Sequence, residues 1–222
     1  MRSFAPACRE QAKSGTSGSP VLVLAGRRYI DEAIGPRTAS SARVSEIPLF
    51  MWGFLLVYAA MTAEDLSGRE LLRHSVATIA YRAGKIIRDA PPGYVDFDAG
   101  QKCRTPVQLL AHIGDLFEWA LSMVKGQPAW NAARPQPWAD EVQRFFDCLK
   151  RFDDYLASAQ PLHASPDKLL QGPLADTLTH VGQLAILRRL AGVPIRGENY
   201  YRADISTGRV GQDQPAAKLE FD

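Results

Sequence analysis

The chain has 222 residues, room for one domain with additions or two small ones. Its 46% apolar and 23% charged residues are ordinary for a globular protein, and a net charge of +2 is too near zero to imply nucleic acid or an anionic membrane as partner. Three cysteines (Cys8, Cys103 and Cys148), none in a close metal-ligand pair, read as a reduced cytoplasmic chain rather than a disulfide framework.

Residues 1–46 are rich in Ser, Gly, Ala, Pro and Arg and show no sustained apolar period, which predicts loop or disorder. Val21–Ala25 is a short strand candidate without a pairing partner. Residues 47–63 are apolar, and Leu49–Met61 carries no charge. A membrane-spanning helix needs ~20 such residues, so this segment is short for a span. Three readings stay open: an additional helix packed on the domain, a membrane anchor, or a true start at Met51 or Met61 that makes the upstream residues an artefact. Thr62 as N-cap, with Glu64 and Asp65 at the positive end of a helix, gives the third reading physical support.

Residues 64–195 carry helical periodicity. A first helix is expected from Glu64 to Asp89, with Leu71, Leu72, Val76, Ile79, Ala80, Ala83, Ile86 and Ile87 recurring at helical spacing, stopped by Pro91-Pro92-Gly93. A polar linker, 94–104, leads to Thr105-Pro106. Thr as N-cap and Pro at the first helical position open a second helix, which Gly126 closes. A proline-rich loop over 127–137 precedes a third helix from Trp138 to Ser158, with Val142, Phe145, Phe146, Leu149, Phe152 and Leu156 as its buried stripe. After a loop over 161–166, Gly172-Pro173 marks the entry to a fourth helix, which runs to Ala191. No segment alternates with period two, so no sheet is expected. The fold class is all-α, an antiparallel four-helix bundle in up-down order or a close variant. The tail, 196–222, is polar. It either folds back, with Tyr200, Tyr201 or Arg202 at a pocket mouth, or lies on the surface.

Four histidines are present. His163 sits in a loop as a bystander, whereas His112 and His180 lie inside apolar helical runs. There an imidazole needs polar partners or a metal, because an unpaired buried polar group costs about 1–3 kcal/mol. Asp176 precedes His180 by four residues, so the two share a helix face. With an imidazole from a facing helix they would supply three ligands and leave one coordination position open, the catalytic zinc pattern. On spacing alone, a hydrogen-bonded core histidine near a helix-start carboxylate is the default reading.

The stretches TPVQLLAHIGDLFEW (105–119) and ADTLTHVGQLAILRRLAG (175–192) resemble the second and last bundle helices of the DinB/YfiT-like putative metalloenzyme superfamily. The resemblance covers about 130 residues on two motifs of moderate specificity. It implies a divalent metal ion, zinc or nickel, on His112, Asp176 and His180. The commonest family pattern has histidine where this chain has Asp176. A glutamate stands there in the mycothiol-dependent maleylpyruvate isomerases, so a carboxylate is compatible with the pattern. The shorter Asp lowers the charge of the site, which makes a weaker Lewis acid. The resemblance further implies an enzyme that acts on a small-molecule substrate, a thiol-dependent transferase or a hydrolase, with a low-molecular-weight thiol as co-substrate.

His74, Asp115, Glu118 and Gln183 are weaker candidates for lining the pocket or orienting the ligands. Each has an ordinary surface reading beside the functional one. Cys103 lies on a loop able to approach the site. No residue is assigned a catalytic role beyond the metal ligands. Nucleotide-binding, serine-hydrolase and zincin motifs are missing from the sequence. Two alternatives remain open: a non-catalytic bundle acting through oligomerisation, as a homodimer, or through partner binding, and a bundle tethered to a membrane by Leu49–Met61.

Overall fold

The computed structural model describes residues 49–221, with side-chain surroundings from Ser67 onward. The expectations for residues 1–46 and for a strand at Val21–Ala25 lie outside the described residues. The chain is mostly helical. Its long helices are α1 (Leu49–Ile87), α3 (Pro106–Val124), α4 (Trp138–Ala157) and α6 (Ala175–Leu190). Two four-residue helices, α2 (Pro92–Val95) and α5 (Pro166–Leu169), and a π-helical turn at Leu170–Leu174 complete the helical set. Gly197–Glu198 (β1) pairs antiparallel with Glu220–Phe221 (β2), with Gly197 opposite Phe221. This small ladder corrects the expectation of no sheet. Each strand is only two residues long, too short for a period-two pattern to register.

Two helix boundaries differ from the sequence reading. The first helix was expected to start at Glu64, but the apolar stretch from Leu49 is continuous with it. Nothing between 49 and 64 breaks a helix: Gly53 is tolerated, and no proline follows Pro48 until Pro91. Among the described residues no helix is long and apolar enough to cross a membrane. The last helical segment starts at Pro166 after Ser165, not at Gly172-Pro173. Pro173 lacks an N–H and its ring would strike a carbonyl in a regular α-turn. The wider π turn that contains it lets the helix pass through and continue as α6.

Side-chain contacts give the helix directions. Arg73 on α1 forms a two-point ion pair with Asp153 near the end of α4, at 2.9 and 3.0 Å, while Gly84 lies against Phe146 near its start, so α1 and α4 run antiparallel. His112 meets His180, and α3 and α6 also run antiparallel, with Leu109 beside Leu187. By contrast α3 and α4 run in the same direction. Arg144 bonds the Ala111 carbonyl and Asp115 early in both helices, Phe117 meets Phe152 midway, and Tyr155 donates to the Val124 carbonyl at their ends. Strict up-down order is therefore corrected at this pair. The 13 residues between Val124 and Trp138 explain it. Extended chain covers ~3.3 Å per residue, so this segment reaches ~43 Å and can return along a 19-residue helix of ~28 Å.

The interior is a single apolar cluster, with Phe117, Phe145, Phe152 and Tyr94 among its largest fully buried side chains. Tyr94 belongs to the stretch read as a polar linker. Its hydroxyl donates to the Leu184 carbonyl at 3.0 Å, its ring packs edge-on against Trp138, and it pins α2 to α6. Arg188, also buried, donates to the carbonyls of Ile86, Arg88 and Val193 and so ties the end of α6 to the end of α1. The tail folds back rather than trailing over the surface. Val210 enters the core, and buried Glu198 accepts hydrogen bonds from Tyr81 at 2.6 Å and Lys85 at 3.0 Å. Tyr200 packs on Tyr81 and under Arg82, while Tyr201 and Arg202 are exposed.

Tyr94→Phe removes one buried hydrogen bond and keeps the ring; it should lower unfolding free energy by about 1 kcal/mol, whereas Tyr94→Ala also opens a cavity and should cost about 3–5 kcal/mol. Chemical denaturation followed by circular dichroism measures both, and equal effects would mean that the ring contributes nothing beyond its hydroxyl.

Candidate metal centre

α3 begins as its sequence predicts. Pro106 occupies the first helical position, and the Thr105 backbone N–H donates to Gln108 Oε1 at 3.0 Å. Gly126 closes the helix with φ 76°, a conformation that favours glycine, and any Cβ there would lie 3.0 Å from the His163 ring. Between these ends His112 stands half-buried on the side of α3 that meets α6. On α6, Asp176 and His180 stand one turn apart, with His180 Nε2 3.3 Å from Asp176 Oδ1. The His112 and His180 rings lie edge to face, their centroids 4.8 Å apart. One potential ligand atom from each of the three residues falls within 4.8 Å of the other two. His180 is buried, His112 half-buried and Asp176 exposed, so the cluster opens to solvent on its carboxylate side.

Gln183 is part of this arrangement. Its Oε1 lies 2.8 Å from His180 Nδ1; in the tautomer protonated at Nδ1 this contact is a hydrogen bond to Gln183, and Nε2 is then available to a metal. Trp130, on the returning loop, packs edge-on to His112 at 5.7 Å and to Trp119 at 5.8 Å, covering His112 from the side away from α6. Burial, with help from the positive charge of Arg104 and the neighbouring His180 ring, pushes the His112 pKa below the ordinary histidine value against the opposing pull of Asp176 and Asp115. Neutral imidazole is the form that binds a metal.

The other sequence candidates stand elsewhere. His74 is exposed on α1, in line with its surface reading. Asp115 is buried, but it is engaged by Arg144 and accepts the Ala133 N–H at 3.1 Å, so it anchors the returning loop to α3 rather than orienting a ligand. Glu118 faces α4, where Arg151 and the Cys148 thiol, at 3.3 Å, donate to it. Burial pushes the Cys148 thiol up to about 12. His163 is an exposed loop residue whose backbone N–H caps the Val124 carbonyl at 3.1 Å.

A cavity of about 540 Å³ adjoins the trio, within the range of small-ligand pockets. His180 and Gln183 form one end of it, and Leu109, Ile186, Leu187 and Leu190 form its apolar wall. Lys102, Cys103 and Arg104 line the rest, so the loop before α3 does approach the site. Lys102, Arg104 and the exposed Ile186 and Leu190 were not singled out by the sequence reading. A basic linker beside a helix start and two apolar residues on the outer face of α6 were the only signals available.

No protein-family model matches the chain, and no match was found among the curated proteins or the solved structures.

Two variants separate the roles of these side chains. Gln183→Leu should weaken binding of a divalent ion about 10- to 100-fold with little change in stability, as for other residues that orient a ligand; titration with zinc measures it, and an unchanged affinity would remove Gln183 from the site. Glu118→Gln should leave metal affinity alone and alter the pH dependence of stability. Burial raises the Glu118 pKa, but the bonds from Arg151 and Cys148 outweigh it and hold the group below its ordinary value. A depressed carboxylate contributes stability above its unfolded pKa and loses it as pH falls through the folded value. The variant should thus be less stable than wild type near neutrality, by no more than about 1 kcal/mol at this half-exposed pair, and the difference should shrink as pH falls below about 4.

Proposed function

We propose that the four long helices form a DinB-like four-helix bundle, in up-down-down-up order, and that His112, Asp176 and His180 hold a divalent ion, zinc or nickel, in a cytoplasmic enzyme. The observation that carries this reading is the convergence, from two different helices, of two imidazoles and a carboxylate, one of which, His180, lines a ligand-sized cavity. The donor set suits a borderline divalent ion. Two ligands sharing a tetrahedral zinc at ~2.0–2.1 Å stand roughly 3.4 Å apart, and the 3.3 Å between His180 Nε2 and Asp176 Oδ1 matches that spacing. The Gln183 contact and the lowered pKa of His112 favour the ligand forms of both rings.

A bound ion supplies Lewis-acid stabilisation of an anionic nucleophile, either hydroxide or the thiolate of a low-molecular-weight thiol. Gln183 orients His180, Trp130 shields the side of His112, and exposed Asp176 leaves the open face toward solvent and the cavity. The substrate is a small molecule, and the activity is thiol-dependent transfer or hydrolysis. The sequence resemblance tilts the choice toward the thiol.

A non-catalytic bundle is the second reading, favoured by the polar partners that His180 already finds in Gln183 and Asp176. Metal analysis of tag-free protein distinguishes the two. Wild type should carry close to one divalent ion per chain, and His112→Ala should lose it while keeping its helical circular dichroism. A screen of thiols against electrophiles then follows on the loaded protein. If neither form takes up metal after incubation with zinc or nickel, the enzyme reading fails and the trio is a polar cluster of the interior.

A further inference from the structure

The cavity beside the trio has two chemically distinct walls. One is aliphatic: Leu109 from α3 with Ile186, Leu187 and Leu190 from α6. Ile186 and Leu190 are each 59% exposed, unusual for large aliphatic residues on a helix whose buried face is already occupied by Val181, Leu184 and Leu187. The other wall is cationic. Lys102 and Arg104 line it, and among the described residues neither enters an ion pair. No acidic residue occupies the first turn of α3, so the positive end of that helix adds to the two cations instead of being neutralised. The backbone leading into this wall has positive φ at Gly100 (77°), Gln101 (56°) and Lys102 (61°). Two of these are non-glycine residues, which disfavour that region.

We propose that the cavity binds a small aliphatic carboxylate, with the carboxylate between Lys102 and Arg104 and the hydrocarbon chain over Ile186 and Leu190. Arginine presents a planar fork that matches a carboxylate in two parallel hydrogen bonds, and lysine adds a point charge. A dianionic phosphate has the same geometric match but gives up more hydration on entering a largely apolar cavity, so the monoanion is the better fit. Bound in this way, the ligand shares the cavity with His180 and Gln183, beside the proposed metal. The role of this carboxylate as substrate rests on the enzyme reading; its binding does not, because Lys102, Arg104 and the aliphatic wall are independent of the ion.

The test uses the full chain, once stripped with chelator and once incubated with zinc, and calorimetric titration with hexanoate, octanoate, octanamide and octyl phosphate. Octanoate should bind both preparations at least about tenfold tighter than octanamide, and tighter than hexanoate by about fourfold per methylene. Arg104→Gln should weaken octanoate about 10- to 100-fold and leave octanamide unchanged. Ile186→Ser should weaken both ligands. Lys102→Gln serves as the second variant if Arg104→Gln fails to fold, and should act in the same direction. Octanoate binding no better than octanamide, or unaffected by both charge variants, overturns the proposal. So does binding seen only with zinc and insensitive to Arg104→Gln, which would assign the carboxylate to the ion, and so does a clear preference for octyl phosphate. Loss of metal binding in the preceding experiment with octanoate binding intact would sink the enzyme reading alone.

Discussion

The segment between Val124 and Trp138 has to travel back along the full length of α3, and much of the architecture follows from that. Because the chain returns before entering α4, α3 and α4 descend together, locked by Arg144 on the Ala111 carbonyl and Asp115 and by Tyr155 on the Val124 carbonyl. α6 and α1 then share the opposite direction, joined where Arg188 collects carbonyls from the end of α1. The returning strand is itself held to α3, at Ala129 through Ser122 and at Ala133 through Asp115. That placement sets Trp130 against His112. A short turn in place of this crossover would have made α4 antiparallel to α3 and left His112 without its aromatic cover.

Polarity near the trio is graded rather than uniform. His180 is buried and fixed by Gln183, His112 is half-buried beneath Trp130, and Asp176 faces water. A carboxylate would be the costliest of the three to desolvate, and it is the one left exposed. At i and i+4 the short Asp176 side chain comes within 3.3 Å of His180. Under the proposed reading, the site's negative charge is offset by Lys102 and Arg104 of the adjoining cavity, and Arg104 adds to burial in lowering the His112 pKa.

Most of the helices were legible because their signals are local. Thr105-Pro106 and Gly126 bracket α3 as the sequence reading has them, and the apolar stripe of α4 matches its buried face. The boundaries that shifted did so for equally local reasons that the pattern underweights. Pro173 reads as a stop signal, yet a single wider turn absorbs it. Leu49–Met61 reads as a separate segment because its hydropathy changes, although nothing in it interrupts a helix. The trio was readable because Asp176 and His180 lie on one helix at one-turn spacing and because the resemblance supplied His112. The placement of Asp115 and Glu118 was not readable, since their partners, Arg144 and Arg151, come from a helix whose direction the sequence leaves open.

The sequence by itself determined where helices form, which faces are apolar, and that Asp176 and His180 share a surface, because each depends on contacts within a few residues. Only the tertiary structure decided that α3 and α4 run parallel, that the tail buries Glu198 and Val210 against the helices, and that Lys102, Arg104, Ile186 and Leu190 line one cavity. Those features join residues dozens of positions apart. Their relative placement is set by how the apolar stripes of several helices pack at once, a constraint that no local pattern carries.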